Sequence, residues 1–332
     1  MTIRDVARHA QVGVGTVSRV LNNSTAVSAR TRQKVLAAIA ELDYSPNVTA
    51  RHLSTGRTMT IGVILPFFKN PSYMERMRGV ESVLSESGFD LIIYNVESLE
   101  RRNALFNSIA RLERVDGLLI MTYTPDDREA ERFQRANLAV VLVDAHRADF
   151  THVAIDDCEG AYRAVRYLIS LGHRKIGFIS DYLESKLNFQ PVRDRFLGYY
   201  QALEEAGIPF RPEYHKQGEH GRRVARKLAH TLLQQDDPPT AIFAFSDTQA
   251  VGVVEAARDL GLAVPADLSV IGFDDIDLAE HWHLTTMRQP LFETGRCGCE
   301  MLFHHLDNPA APPQEIMLPT ELVVRATTAP PA

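Results

Sequence analysis

The first forty residues carry three short apolar periodicities separated by polar breaks. Ile3, Val6, Ala7 and Ala10 recur at i, i+3, i+4 and i+7, one face of a helix. Thr2 precedes them as an N-cap, with Asp5 three residues on, close to a capping box. Gln11-Val12-Gly13 interrupts the pattern, and Gly13 is expected to supply the unusual dihedrals of a turn. A second helix is predicted over residues 14–22, with Val17, Val20 and Leu21 facing inward and Gly15, Thr16, Ser18, Arg19 and Asn22 facing outward. Ser28 then caps a third, whose buried face is Val35, Ile39 and Leu42. Two short helices joined by a tight turn, the second polar on its outer face, fit a helix-turn-helix. A plain three-helix bundle with a solvated face fits the same periodicity.

From residue 60 onward the pattern becomes strand, helix, strand, helix. Continuous apolar runs predict strands at 61–65, 91–94, 117–121, 140–143, 175–180, 241–245 and 269–273. Helical periodicity lies between them, for example over 73–87, 102–112, 160–171, 194–206 and 248–260. Such alternation implies parallel sheets covered on both faces. There are too many units for one sheet, so two Rossmann-like subdomains are expected. Ligands of such sheets bind beyond the C-terminal strand ends. Here those ends carry Pro66-Phe67-Phe68, Asp144, Ser180-Asp181, Ser246-Asp247 and Asp274-Asp275. Each of these could equally cap a helix or face solvent in a turn, and it is their shared edge that favours a cleft.

Charge sharpens the division. The 332-residue chain has a formal net charge of −6, yet residues 1–57 hold eight Lys/Arg against three acids, a surplus of five. A basic head on an acidic body fits a polyanion-binding module joined to a non-binding one. Asn47 to Leu53 follows Pro46 and stops near Gly56; a helix that short is unstable alone, so it is expected either to order on binding or to be a plain linker. No apolar run is long enough to span a bilayer and the N-terminus does not read as a signal peptide, so a cytoplasmic protein with no membrane partner is expected. The three cysteines, Cys158, Cys297 and Cys299, fit a reducing compartment. Cys297-Gly298-Cys299 lies in a helix-like stretch without a second pair and reads as two small helix residues rather than a metal site. The twelve histidines show no metal-ligand spacing, and neither a metal nor a cofactor is expected.

The residues themselves are more specific. Asp5-Val6-Ala7, the run Gly15-Thr16-Val17-Ser18-Arg19-Val20-Leu21-Asn22, Val27-Ser28 and Tyr44-Ser45-Pro46-Asn47 resemble the head of the LacI/GalR family of transcriptional regulators. Asn70-Pro71, Leu171-Gly172-His173, Arg195 to Tyr199, Phe245-Ser246-Asp247, Val264-Pro265, Val270 to Asp275 and Leu284-Thr285-Thr286 resemble its effector domain, itself similar to periplasmic sugar-binding proteins. The resemblance implies a helix-turn-helix head over 1–46, a hinge helix and linker over 47–59, and an effector-binding and dimerisation domain over 60–332. Within that domain it implies an N-subdomain of about 60–157 plus 289–318 and a C-subdomain of about 158–288 plus 319–332.

By that resemblance Val14 and Gly15 stand at the two main base-discriminating positions, where Val14 can pack on a thymine methyl and Gly15 offers only close approach. Arg19 has the fork to bond a guanine edge, and Thr16, Ser18, Asn22 and Tyr44 suit phosphates. Asn47, Ala50 and Leu53 belong to the hinge, with Leu53 matching a leucine that wedges into the minor groove. Gly13 departs from the Ser or Thr that usually caps the recognition helix. Arg195 and Asp274 match the main polar anchors of the effector, Asp144 and Ser246 secondary ones, and Phe67, Tyr73 and His220 the walls. Ser246 replaces an Asn found in several sugar-responsive members, and His220 an aromatic found in some. The expected function is a non-enzymatic regulator, a repressor that binds a pseudo-palindromic operator on double-stranded DNA as a homodimer under control of a sugar-like effector. A purine or nucleoside effector is the runner-up. A pure sugar-binding protein or an enzyme on the same fold is the other class; no phosphate-binding glycine loop, zinc-protease or serine-nucleophile motif speaks for an enzyme.

Overall fold

The computed structural model describes residues 1–21, 24–44, 57–111, 114–184, 187 and 189–332. The chain divides into two compact units, Met1–Thr58 and Met59–Ala332. Asn22, Asn47, Ala50 and Leu53, with most of the segment 47–59, lie outside the described residues.

The first unit is a three-helix head: α1 (Ile3–His9), α2 (Val14–Leu21) and α3 (Ala29–Glu41). Its core is Val6, Ala7, Ala10, Val17, Val20, Val35 and Ala38, with Ile3, Leu21, Ile39, Leu42 and Tyr44 packed around it. The buried face of α3 is therefore Val35 and Ala38, while Ile39 and Leu42 are only partly covered. Asp5 accepts from both the backbone N–H and the hydroxyl of Thr2, at 2.9 and 2.8 Å, which fixes the start of α1. Ser28 accepts from the Thr31 N–H and starts α3. Arg32 donates to the Ser24 carbonyl at 2.6 Å, pinning α3 to the chain beyond α2. The left-handed residue of the first turn is Gln11, at φ 53°, and not Gly13. Gly13 instead accepts through its carbonyl from the N–H groups of Thr16 and Val17, so it stands at the helix entrance without a capping side chain.

The second unit has two six-stranded sheets. The first contains β1 (Thr60–Leu65), β2 (Asp90–Asn95), β3 (Gly117–Met121), β4 (Ala139–Val143), β5 (Thr151–Ile155) and β11 (Glu315–Leu318), in the order β11-β5-β4-β3-β1-β2, all parallel. The second contains β6 (Ile176–Asp181), β7 (His215–Gly218), β8 (Ala241–Ala244), β9 (Ser269–Asp274), β10 (Thr285–Arg288) and β12 (Glu321–Val323), in the order β12-β10-β9-β8-β6-β7. Its edge strand β12 runs antiparallel to β10, an exception to the all-parallel expectation.

Period-two alternation splits each sheet's side chains between two cores. On β1, Ile61, Val63 and Leu65 enter one and Ile64 the other. On β8, Ala241 and Phe243 face one side, and Ile242 and Ala244 the opposite one. The covering helices of the first lobe are α4 (Pro71–Leu84), α5 (Leu99–Ser108), α6 (Asp127–Arg135) and α12 (Leu291–Asp307). Those of the second are α7 (Asp157–Ser170), α8 (Gln190–Glu205), α9 (Arg222–Leu233), α10 (Asp247–Asp259) and the short α11 (Asp277–His281).

Helix α12 follows β10 of the second sheet yet packs on α4 of the first lobe, and β11 then joins the first sheet. Two glycines permit that packing. A Cβ on Gly79 would lie 2.0 Å from the Phe292 carbonyl oxygen, and one on Gly295 1.9 Å from that of Arg76. The helices therefore approach backbone to backbone.

Candidate functional site

In the head, α2 presents Val14, Gly15 and Arg19 as exposed residues, with Thr16 and Ser18 half-buried. A Cβ on Gly15 would meet nothing within 4 Å, so this position is flush with open surface. The Arg19 guanidinium has no ion-pair partner among the described residues. Tyr44 is half-buried against the head core, so its ring is structural whatever its hydroxyl does. The surface of α2 is thus a small, uncharged N-terminal ledge followed by one free guanidinium, a shape suited to a groove.

The second unit holds a cleft between its two lobes at the C-terminal strand ends. It is lined by Phe67 and Asn70 after β1, Tyr73 and Arg76 on α4, and Thr122 and Asp144 after β3 and β4. From the other lobe come Asp181 at the end of β6, Arg195 on α8, His220 after β7, Ser246 after β8 and Asp274 at the end of β9. All seven sequence-expected effector residues, Phe67, Tyr73, Asp144, Arg195, His220, Ser246 and Asp274, line this one space. Four of its residues have left-handed backbones: Phe67 at φ 45°, Thr122 at 66°, Asp144 at 59° and Asp274 at 119°. Such conformations cost about 1–3 kcal/mol each in non-glycine residues and cluster where a chain is bent to aim side chains.

Arg195 is 3% exposed and held from several sides. Its Nε donates to Asp157 at 2.7 Å and one Nη to the Phe245 carbonyl at 2.6 Å, with Asp274 3.8 Å away. Its guanidinium carbon lies 3.7 Å from the centroid of the Phe273 ring and 4.5 Å from that of Phe245. Burial pushes the Asp157 carboxyl up, against the pull of Arg195. Across the cleft, Arg76 is 2% exposed, pairs with Asp144 at 2.6 Å and donates to the Gln289 amide oxygen at 2.9 Å. Gln289 in turn donates to Asp274 at 2.5 Å. One polar chain, Arg76–Gln289–Asp274, therefore links the lobes through the crossing segment that precedes α12. Arg76 Nε is buried without a partner among the described residues, a donor left facing no acceptor.

His220 sits 3.2 Å from both carboxylate oxygens of Asp181, which also accepts from Gln249 at 2.9 Å. Burial pulls the His220 imidazolium down, but Asp181 more than offsets this and its pKa ends above the usual value. Ser246 accepts from the Gln249 N–H and so caps α10, which engages one of the lone pairs expected to serve a ligand. Asp247 beside it is fully buried, accepting from the Thr286 hydroxyl at 2.5 Å and the Ile276 N–H at 3.0 Å, and braces the β9 end from below.

Arg76, Gln289, Thr122 and the supporting Asp157 are not among the residues expected from the sequence, whereas Asp181 stands at one of the strand ends expected to face the cleft. For Arg76 a signal existed: Tyr73, Arg76, Met77 and Val80 fall at i, i+3, i+4 and i+7, placing an arginine in the apolar stripe of α4. Gln289 and Asp157 had none, because each acts through a partner distant in sequence. Among the described residues no cluster of three or more His, Cys, Asp or Glu could hold a metal, and no helix is long and apolar enough to cross a membrane.

Comparison with known proteins agrees with both halves. Residues 2–47 match the family described as bacterial regulatory proteins, lacI family, and residues 165–328 a periplasmic binding protein-like domain. The chain is 38% identical over 335 residues to the HTH-type transcriptional repressor PurR of Yersinia pestis (strain Pestoides F), covering 99% of this chain and 97% of the relative. It superposes on the lac repressor dimer bound to operator and the anti-inducer ONPF with a TM-score of 0.86 at 29% identity, over 99% of each chain. It superposes on the transcriptional regulator CelR–cellobiose complex with a TM-score of 0.72 at 30% identity, over 98% of this chain and 99% of the other. With a helix-turn-helix head, a two-lobed binding-protein body and relatives matched end to end, the chain belongs to the lacI family of DNA-binding transcriptional regulators.

Proposed function

We propose that this protein is a repressor that binds a pseudo-palindromic operator as a homodimer, and that a sugar or sugar derivative in the interlobe cleft sets its affinity. The observation that carries the effector half is the convergence of donors and carboxylates from both lobes, Arg195, His220, Asp144 and Asp274, beside the rings of Phe67 and Tyr73. Alternating hydroxyls on a ring with an apolar face need that mixture. The cellobiose bound by one structural neighbour supports the same reading. Arg195 and Asp274 are the main anchors, Asp144 and Ser246 the secondary ones, and the Arg76–Gln289–Asp274 chain ties the ligand to the relative position of the lobes. Residues 47–59 act as the hinge that transmits that position to the head, with Leu53 as the wedge and Asn47 and Ala50 beside the backbone. A ligand shifts the equilibrium only by its difference in affinity for the two arrangements of the lobes.

In the head, Arg19 reads a guanine, Val14 and Gly15 discriminate by close approach, and Thr16, Ser18, Asn22 and Tyr44 set the register on phosphates. Two experiments separate these roles. Arg19→Ala is expected to weaken operator binding by about 1–3 kcal/mol while random-sequence binding falls far less. Equal losses on both duplexes identify Arg19 as a phosphate contact instead. A thermal-shift screen of the full chain with neutral sugars, sugar phosphates, nucleosides and purines identifies the effector, since saturation at about 100 times Kd adds roughly 2.7 kcal/mol. Stabilisation by a purine and by no sugar overturns the sugar assignment.

A further inference from the structure

Helix α2 is weak by its own sequence. Val14, Gly15, Thr16, Val17, Ser18 and Val20 all rank low in helix propensity, and eight residues are too few for a helix to hold alone. Its entrance gives little help: no acid stands in the first turn, and Gly13 before it has no side chain to cap with. Val17 and Val20 are buried in the head core. Apolar packing is non-directional, so these two contacts press α2 onto its neighbours but leave the geometry of its last turn to other groups. Arg19 stands in that turn.

The directional contacts are at the exit. The last carbonyls of a helix have no partner inside it. Here the Arg19 carbonyl accepts from the Ser24 N–H at 2.9 Å. Arg32, half-buried in the first turn of α3, spans the same exit: one Nη donates to the Val20 carbonyl at 3.4 Å and the other to the Ser24 carbonyl at 2.6 Å. A cation at this end of α2 is also favoured by the helix dipole. The base of the fork is itself fixed, because Ser28 caps α3 through the Thr31 N–H and its carbonyl accepts from the Arg32 N–H at 2.9 Å. A planar guanidinium bonded to carbonyls on both sides of the turn ties the end of α2 and the chain leaving it to one rigid group.

We propose that Arg32 is a positioning residue for operator reading: its fork closes the exit of α2 and so sets the last turn of that helix, Arg19 above all, against a base edge. The proposal rests on the assignment of Arg19 as a base reader. Arg19 directly precedes Val20, whose carbonyl Arg32 holds, so fraying of the last turn displaces Arg19 first. A bidentate bond to a base edge is lost on a small change of distance or angle, whereas attraction to the phosphates tolerates it. Removing the fork therefore lowers discrimination more than it lowers affinity for DNA in general.

A double-mutant cycle on the full chain tests this. Fluorescence anisotropy over a salt series compares the wild type, Arg32→Met, Arg32→Lys, Arg19→Ala and the Arg19→Ala, Arg32→Met double variant, on an operator selected from random duplexes and on a random duplex. Met keeps an apolar stem without fork or charge, and Lys keeps the charge without the fork. Arg32→Met is expected to bind the operator at least about tenfold more weakly and the random duplex less than about threefold more weakly, with an unchanged salt slope. Arg32→Lys recovers only part of the loss. In the Arg19→Ala background, Arg32→Met costs less than about threefold on the operator, because the reader it positions is gone. Hydrogen exchange quickens over residues 14–21 and not in α1 or α3.

Equal losses on both duplexes, with a salt slope lower by about 0.9, make Arg32 a phosphate contact and overturn the proposal. So does a full tenfold loss that persists in the Arg19→Ala background, or an Arg32→Lys protein equal to the wild type. If Arg32→Met quickens exchange throughout the head, Arg32→Lys decides in its place, and an operator-to-random ratio unchanged from the wild type overturns the assignment. If Arg19→Ala lowers binding to both duplexes equally, the base-reading assignment of Arg19 falls by itself, while an operator-selective loss in Arg32→Met still supports the positioning of α2.

Discussion

Replacing Arg195 by Met keeps an apolar stem between the Phe245 and Phe273 rings but removes the charge that Asp157 and Asp274 share. Both carboxylates are about 8% exposed, so neither can turn to water for compensation. Breaking a buried pair by deleting one partner costs about 3–5 kcal/mol, because the other charge stays buried. The size of the loss should depend on pH, and its sign follows from the proton balance. Burial pushes Asp157 up to about 7 even with Arg195 present, and without the guanidinium burial acts unopposed. An unfolded aspartate titrates near ~3.9, so the folded variant holds more protons than the unfolded chain between that value and its own raised pKa. Its stability therefore falls as pH rises through this window. Because removing Arg195 raises the Asp157 pKa further, the deficit is expected to be smaller at pH 5 than at pH 8. Urea titrations followed by Trp282, the chain's one tryptophan and packed against the second lobe's core, measure it directly. Adding Asp157→Asn to Arg195→Met should recover more than half of the loss at pH 8. A deficit below about 1 kcal/mol, or one equal at both pH values, would refute the view that Arg195 neutralises buried carboxylates.

Further outcomes follow from the same geometry. Gly295→Ala places a methyl 1.9 Å from the Arg76 carbonyl oxygen; because the neighbour is backbone, overpacking should cost about 1–3 kcal/mol or more, and an unchanged urea midpoint by circular dichroism argues against the close approach of α4 and α12. Asp181→Asn removes the carboxylate that holds the His220 imidazolium above its usual pKa, so burial should carry that pKa downward. In the wild type this pair contributes stability fully below ~6.5 and loses it as pH rises through the folded-state value; an NMR titration of the His220 ring that is identical in both proteins shows Asp181 to be a bystander. Leu53→Ser should leave effector binding intact and abolish tight operator binding and DNA bending, and a gel-bending assay with unchanged curvature removes the wedge role.

The parts of the fold legible in the sequence are those where one local rule acts alone. The strands at the centre of each sheet are uninterrupted apolar runs, and the head helices carry caps as well as periodicity. The edges were not legible. β7 is the polar tetrapeptide His215-Lys216-Gln217-Gly218, and β11 and β12 are only four and three residues long with no fully buried position, placed by pairing with strands distant in sequence. Helix α6 is dense with charge and reads as solvated, although the Asp126–Glu129 capping box marks its start. In the cleft, residues at strand ends were legible because topology places them there. Arg76 is marked only by its place in the apolar stripe of α4, and Gln289 by nothing local, because their partners Asp144 and Asp274 are distant in sequence. Gln11 took the left-handed turn position for which Gly13 had seemed the natural occupant, since the turn closes through the Ala7 carbonyl and the Val12 N–H one residue earlier.

The central claim is that occupancy of the interlobe cleft governs DNA affinity. It is tested by measuring, by fluorescence anisotropy at fixed salt, how strongly the wild type and Asp274→Asn bind an operator selected from random duplexes, with and without the sugar found by thermal shift. The account predicts a change of at least about tenfold, or roughly 1.4 kcal/mol, on adding the sugar to the wild type, and none on adding it to Asp274→Asn. A wild type whose operator affinity is indifferent to a sugar that demonstrably fills the cleft, or an Asp274→Asn protein that still responds in full, contradicts it.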